Sequence, residues 1–387
     1  MRYVRPALFI GFVLIGCATT SLPPVGSDQF VFEDDEKRIW LRSQEEEKVL
    51  DNGGLIYKDD DLDRYLNQVA RKLEPQKVYK HIPYKIVVIK SPYLNAFTFP
   101  NGVIYVHTGI LARMENEAQL ATLLAHEMSH AAHRHAVREF RSTKNKTAFL
   151  ASVQFSVGQV PLVGDLAGLL GGIGTKGAVS GYSRGLETEA DTAGFNQMVQ
   201  AGYDPREAPK LFLHLKREIE EEEIKEAYFF GTHPRLKERM ENYEDLIRKR
   251  SPQKKEGLRN TDVFLEKTRR LLLDNARLDL KGGRFQAARR GTEKYLTLKP
   301  KDARPHHLMG EILRQQDDKG DLEKAEVHYR EAIALDPSYP DPHKGVGLVL
   351  YKLGEKKQAV KSLRSYLALA PSASDRGYIE NTINQIE

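Results

Sequence analysis

His126 and His130 stand four residues apart with Glu127 beside the first, in the run His126-Glu127-Met128-Ser129-His130. This pattern has chemical meaning only on a helix, so it constrains the fold of the 387-residue chain more than any other feature. On a helix, positions i and i+4 share a face. Both imidazoles then reach one zinc ion, and Glu127 lies where a carboxylate can act on water beside that ion. The flanking residues predict the helix. Asn116 and Gln119 have capping-box spacing, with Asn as the N-cap. Leu120, Leu123, Leu124, Met128 and Ala131 recur at helical intervals. No Pro or Gly interrupts residues 117–141, so the helix is expected to run through them.

A catalytic zinc needs a third protein ligand and an open fourth position. An extended motif with a third His six residues after the second, and Gly three after it, is excluded because those positions hold Ala136 and His133. The run Ser183-Arg184-Gly185-Leu186-Glu187-Thr188-Glu189-Ala190-Asp191 offers a glutamate helix instead. Glu187 and Asp191, four apart, share a face, whereas Glu189 points elsewhere. Glu187 is the expected third ligand, and Asp191 the carboxylate that orients a ligand histidine.

Together these two motifs resemble the HtpX/BepA-type gluzincin peptidases, peptidase family M-48. The strand-like run 95–106 and the later Thr232-His233-Pro234, with Arg239 six residues after the His, are similar to further elements of that family. The resemblance covers roughly residues 33–250. It implies an α+β, mainly helical metalloprotease domain with a small β-sheet, one Zn2+ per chain, and hydrolysis of internal peptide bonds in protein substrates. By the same resemblance Glu127 is the general base, and His233 or Arg239 stabilises the oxyanion. His233 has an alternative role as a latch on zinc's fourth position. His133 and His135 are expected at the surface or behind the ligands. BepA-type relatives imply outer-membrane β-barrel proteins and their assembly machinery as substrates and partners. The second function class is a latent protease acting as chaperone or scaffold in envelope protein assembly.

Residues 83–89 are β-branched and apolar, Asn101-Gly102 is a hairpin turn signal, and 103–107 continues as a strand. An edge strand beside the metal helix would bind substrate by β-augmentation. Residues 146–181 form an apolar, Gly-rich insert, expected as helices and loops over the cleft rather than a membrane span.

The C-terminal third has an internal period. Pro300, Pro337 and Pro371 each close a helix-like stretch, at intervals of 37 and 34 residues. The second interval is the tetratricopeptide period, and an insertion near Asp317 and Gly320 accounts for the first. Ala288, Ala325 and Ala359 occupy the small position on the second helices. Ala276, Gly310 and Gly347 occupy it on the first. Three such units predict an all-α solenoid over 262–387 that binds protein segments, after a linker at 251–261 and a peptidase domain at 31–250.

The N-terminus reads as a targeting segment. Arg2 and Arg5 precede the apolar stretch 7–15, which is too short to span a bilayer. Leu14-Ile15-Gly16-Cys17 resembles a bacterial lipobox, making 1–16 a signal peptide, Cys17 the lipidated residue and 17–30 a tether. Cys17 is the only cysteine, so no internal disulfide framework is expected. Ala18 after it suggests the outer membrane, with the protein facing the periplasm. The near-balance of 59 basic and 54 acidic residues gives no case for nucleic acid. Cys17→Ala is expected to move the protein from the membrane to the soluble fraction or to block its processing. A normally processed, membrane-bound variant would overturn the lipobox reading.

Overall fold

The computed structural model describes residues 21–74, 78, 80–142, 182–221, 236–250 and 256–387. The leader with Cys17, the insert 146–181, His233 and residues 251–255 of the predicted linker lie outside these residues. The N-terminal part runs α1 (Asp34–Asn52), α2 (Asp60–Leu73), β1 (Lys85–Ile89), β2 (Ala96–Thr98), β3 (Val103–His107), α3 (Thr108–Arg113), α4 (Glu117–Ala132), α5 (His135–Ser142), α6 (Arg184–Gln200), α7 (Glu207–Glu221) and α8 (Leu236–Lys249).

The three strands order β1-β3-β2, with β1 parallel and β2 antiparallel to β3. The turn from β2 to β3 uses Gly102 at φ +91°, a conformation glycine takes without a Cβ penalty. Strand alternation splits the sheet's side chains between two cores. Ile104 and Val106 join the large core around α4, while Val103 and Tyr105 pack with Phe97, Phe99 and Leu50 of α1. This places β2 at the sheet's edge, next to α4, where Thr98 Oγ1 donates to Glu127.

The metal helix α4 starts as its sequence predicts. Asn116 Oδ1 accepts from Gln119 N at 3.1 Å. Gln119 Oε1 reaches back to the N–H of Glu115, one residue before the cap. Glu117 in the first turn complements the helix dipole and accepts from Tyr65, Tyr203 and Asn260. The helix does not run on to Arg141. It stops at Ala132, Arg134 adopts φ +57°, and α5 starts at His135. A left-handed non-glycine residue costs on the order of 1–3 kcal/mol, and tertiary contacts offset that cost here. The Arg134 guanidinium pairs with buried Glu36, donates to the carbonyls of Pro23 and Val31, and lies 5.2 Å from the Phe30 ring centroid. Residues 21–30, expected as a free tether, are therefore docked. Val25 N donates to Ala132 O at 2.8 Å, and Leu22 and Val25 are buried.

The helix α6 lies directly on α4. A Cβ on Gly194 would stand 2.9 Å from Ala125 C and His126 N, closer than real contacts allow. This close approach carries Asp191 and Glu187, one and two turns earlier on α6, under the histidines of α4.

The C-terminal helices pair as α9 (Thr261–Lys281) with α10 (Phe285–Leu298), α11 (Ala303–Gln316) with α12 (Asp321–Leu335) and α13 (Pro340–Lys352) with α14 (Lys356–Leu369), followed by α15 (Arg376–Ile386). Ala276, Ala288, Ala325 and Ala359 are fully buried. A Cβ on Gly310 would strike the Tyr329 ring at 2.6 Å, and one on Gly347 the Leu363 side chain at 2.6 Å. The small positions are thus where paired helices touch. The molecule is α+β, with an all-helical repeat solenoid at its C-terminal end. No described helix is long and apolar enough to cross a membrane.

Gly194→Val forces α6 away from α4. It is expected to lower stability by about 1–3 kcal/mol, the usual cost of overpacking a tight contact, read as a reduced denaturant midpoint. A midpoint equal to wild type would show that the helices separate at no cost.

Candidate metal centre

The i, i+4 spacing on α4 brings His126 Nε2 and His130 Nε2 to 3.0 Å of each other. Glu187 enters from α6, with Oε2 3.5 Å from His126 Nε2 and Oε1 3.5 Å from His130 Nε2. All three residues are buried. Ligand atoms about 2.0–2.2 Å from a tetrahedral ion are separated by roughly 3.3–3.6 Å. The spacing found here is close to that, and two imidazole nitrogens with one carboxylate oxygen are a donor set suited to zinc. The residues present therefore fit a divalent metal ion.

Each imidazole also has a partner behind it. His126 Nδ1 lies 2.9 Å from Asp191 Oδ1. Arg239 Nη2 donates to the same oxygen at 2.6 Å and stands 3.0 Å from His126 Nδ1. A guanidinium only donates, so Asp191 is the common acceptor, His126 carries its proton on Nδ1, and its Nε2 faces the other ligands. The structure places Arg239, expected as an oxyanion donor, against this carboxylate and over the Phe212 ring at 4.6 Å. Its nearest approach to Glu187 is 3.9 Å. Glu127 Oε2 accepts from Thr98 Oγ1 at 2.7 Å, and the same hydroxyl reaches the Glu127 carbonyl at 3.1 Å.

Sequence reasoning missed two contributors, Thr98 and Tyr182. Nothing in the sequence marks Thr98 beyond its place in a strand. Tyr182 stacks on His130, with centroids 4.1 Å apart and planes 18° apart. His135, expected at the surface or behind the ligands, is fully buried behind one of them, its Nδ1 2.8 Å from His130 Nδ1. On an unbroken helix, residues five apart point about 140° away from each other. The turn at Arg134 folds His135 back, and no local sequence signal marks that turn.

Burial disfavours a charged His126 and Arg239 repels it, but hydrogen bonds to Asp191 and Glu187 outweigh both and raise its pKa to about 9 without metal. His135 is driven the other way, to about 3, chiefly by burial. A metal-bound imidazole has no proton on the ligating nitrogen. Metal binding at pH 7 should therefore displace a proton from His126, and affinity should rise with pH up to about 9. Calorimetry in buffers of different ionisation heats is expected to show net proton release, and none would contradict this assignment.

Residues 58–247 match the model of Peptidase family M48, and residues 318–354 match a TPR repeat. The mitochondrial metalloendopeptidase OMA1 of Schizosaccharomyces pombe is 31% identical over 47% of this chain and 52% of its own length. The beta-barrel assembly-enhancing protease of Yersinia pestis is 29% identical over 42% of this chain and 34% of its own. Its namesake in Escherichia coli K12 is 25% identical over 56% and 44%. The chain thus spans about half or less of the length of these relatives. The match to the family model runs from Lys58 to Ile247 and encloses every residue of the metal centre just described, and the repeat match falls within the helical hairpins that follow. The chain carries a Peptidase family M48 domain joined to tetratricopeptide repeats.

Proposed function

We propose that this chain is a zinc metalloendopeptidase of envelope protein quality control, facing the periplasm and held by a lipid on Cys17 to the outer membrane. The observation that carries the reading is the convergence of His126, His130 and Glu187 on one point, with the Glu127 carboxylate fixed on the same helix. The envelope setting is supported by the names of the bacterial relatives. When bound, zinc supplies Lewis-acid polarisation of the scissile carbonyl and of water. Glu127 takes the proton of the attacking water and passes it to the leaving amine. Thr98 holds the rotamer of that carboxylate. Asp191 and Arg239 hold the ring of His126. The edge strand β2, beside the site, pairs with an extended substrate, and the repeats recruit substrate or partner.

The burial of all three ligands favours a second reading, a latent protease that serves chiefly as a scaffold in envelope protein assembly. One set of variants separates the two. Glu127→Gln is expected to retain one zinc per chain and to lose about 10²–10⁴-fold in casein turnover, the usual share of a general base. His130→Ala is expected to lose the zinc. Wild-type turnover in Glu127→Gln would sink the peptidase mechanism. If that variant fully supports envelope protein assembly in cells, the scaffold reading gains.

A further inference from the structure

The support behind His130 differs in kind from that behind His126. His126 meets a carboxylate directly, whereas His130 meets another imidazole, His135, at 2.8 Å between Nδ1 atoms. Two neutral imidazoles can share that contact only if one Nδ1 carries the proton and the other presents its lone pair. A His130 that gives Nε2 to a metal must carry its proton on Nδ1. His135 must then accept at Nδ1 and bear its own proton on Nε2.

What lies at His135 Nε2 agrees with that demand. This nitrogen is buried, has no hydrogen-bond partner among the described residues, and faces Glu189 Oε2 at 3.6 Å. A lone pair turned toward a carboxylate is repelled, and an N–H is attracted. Glu189 is itself held in place: Oε1 lies 2.7 Å from His133 Nδ1, and Oε2 accepts from Arg138 at 2.8 Å.

We infer that His135 and Glu189 are positioning residues for the metal site, Glu189 selecting the His135 tautomer that in turn fixes His130 with its Nε2 lone pair toward the metal. The inference rests on the reading of His126, His130 and Glu187 as metal ligands. It also decides a competing use of the same groups. His133, His135 and Glu189 lie close enough to hold an ion of their own. An ion on His135 Nε2 would drive the proton to Nδ1, against the N–H of a metal-bound His130. With the first site filled, the cluster is therefore a support and not a second metal site.

The test is zinc affinity by chelator competition on the full chain, with the melting temperature of the metal-free protein measured alongside. His135→Leu fills the space without an acceptor and is expected to weaken zinc binding about 10–100-fold, as loss of such outer partners does. Glu189→Gln is expected to weaken it by a smaller factor. His135→Gln keeps an oxygen that can accept from His130 and is expected to restore most of the affinity lost in the leucine variant. Histidine ¹⁵N shifts of the zinc-loaded wild type are expected to place the His135 proton on Nε2, and those of Glu189→Gln to show a mixture. Wild-type affinity in His135→Leu, a melting-temperature loss without an affinity loss, a His135 proton on Nδ1, or two zinc ions per wild-type chain would each overturn the inference. Full zinc content in His130→Ala would instead overturn the underlying ligand assignment.

Discussion

Every residue of the metal helix from Glu117 to Ala131 is buried, yet that stretch carries five polar or charged side chains besides its histidines. A buried polar group without a partner costs several kcal/mol, and a buried charge more. The neighbouring elements are arranged to supply partners. Thr98 on the edge strand serves Glu127, Asp191 on α6 serves His126, and His135 beyond the break serves His130. At the other end, Glu207 accepts from Asn116 and Gln119, and Glu117 gathers two tyrosines and Asn260. Thr122 and Ser129 donate to carbonyls one turn back on the same helix. The Gly194 contact is what makes the α6 partners reachable.

The same economy ties the repeats to the peptidase domain. Arg113 on α3 makes a two-pronged pair with Glu218 of α7 at 2.6 Å and reaches Asp279 of α9 at 3.0 Å. Arg290 of α10 closes on Glu218 at 2.8 Å, and Arg284 pairs with Asp279. Burial raises the Asp279 carboxyl and would raise Glu218, but the guanidiniums around Glu218 win and lower it. Breaking such a buried group by removing one member costs roughly 3–5 kcal/mol. Glu218 sits on the helix that also carries Phe212, whose ring lies under Arg239. Six helical residues, about 9 Å, therefore separate the anchor of the first repeat from the support of His126.

How much of this was legible from sequence depends on where the information lies. The i, i+4 histidines, the Glu187 and Asp191 spacing, the Asn116 cap and the repeat period are local patterns, and the structure brings those residues together as their spacing implies. The missed features are all non-local. The break at Arg134 carries no Gly or Pro because its cause is Glu36, almost a hundred positions upstream. The docking of residues 21–30 follows from the same arginine, which no composition rule detects. Helical spacing predicts that Glu189 faces away from Glu187. That is correct on α6, but the turn at Arg134 brings His133 and His135 round to meet it.

Charge explains why the two ligand histidines are supported differently. Arg239 offsets Asp191, so Glu127 and Glu187 remain to match the two charges of a divalent ion. A further carboxylate directly behind His130 would leave the centre with an excess negative charge at low dielectric, where close like charges repel strongly. His135, held neutral by burial, transmits the orienting effect of Glu189 while keeping that carboxylate one imidazole ring away. Glu189 spends its own charge on Arg138 and His133, at the half-exposed rim. The strained turn at Arg134 is what allows a neutral ring, rather than a carboxylate, to stand behind the second ligand.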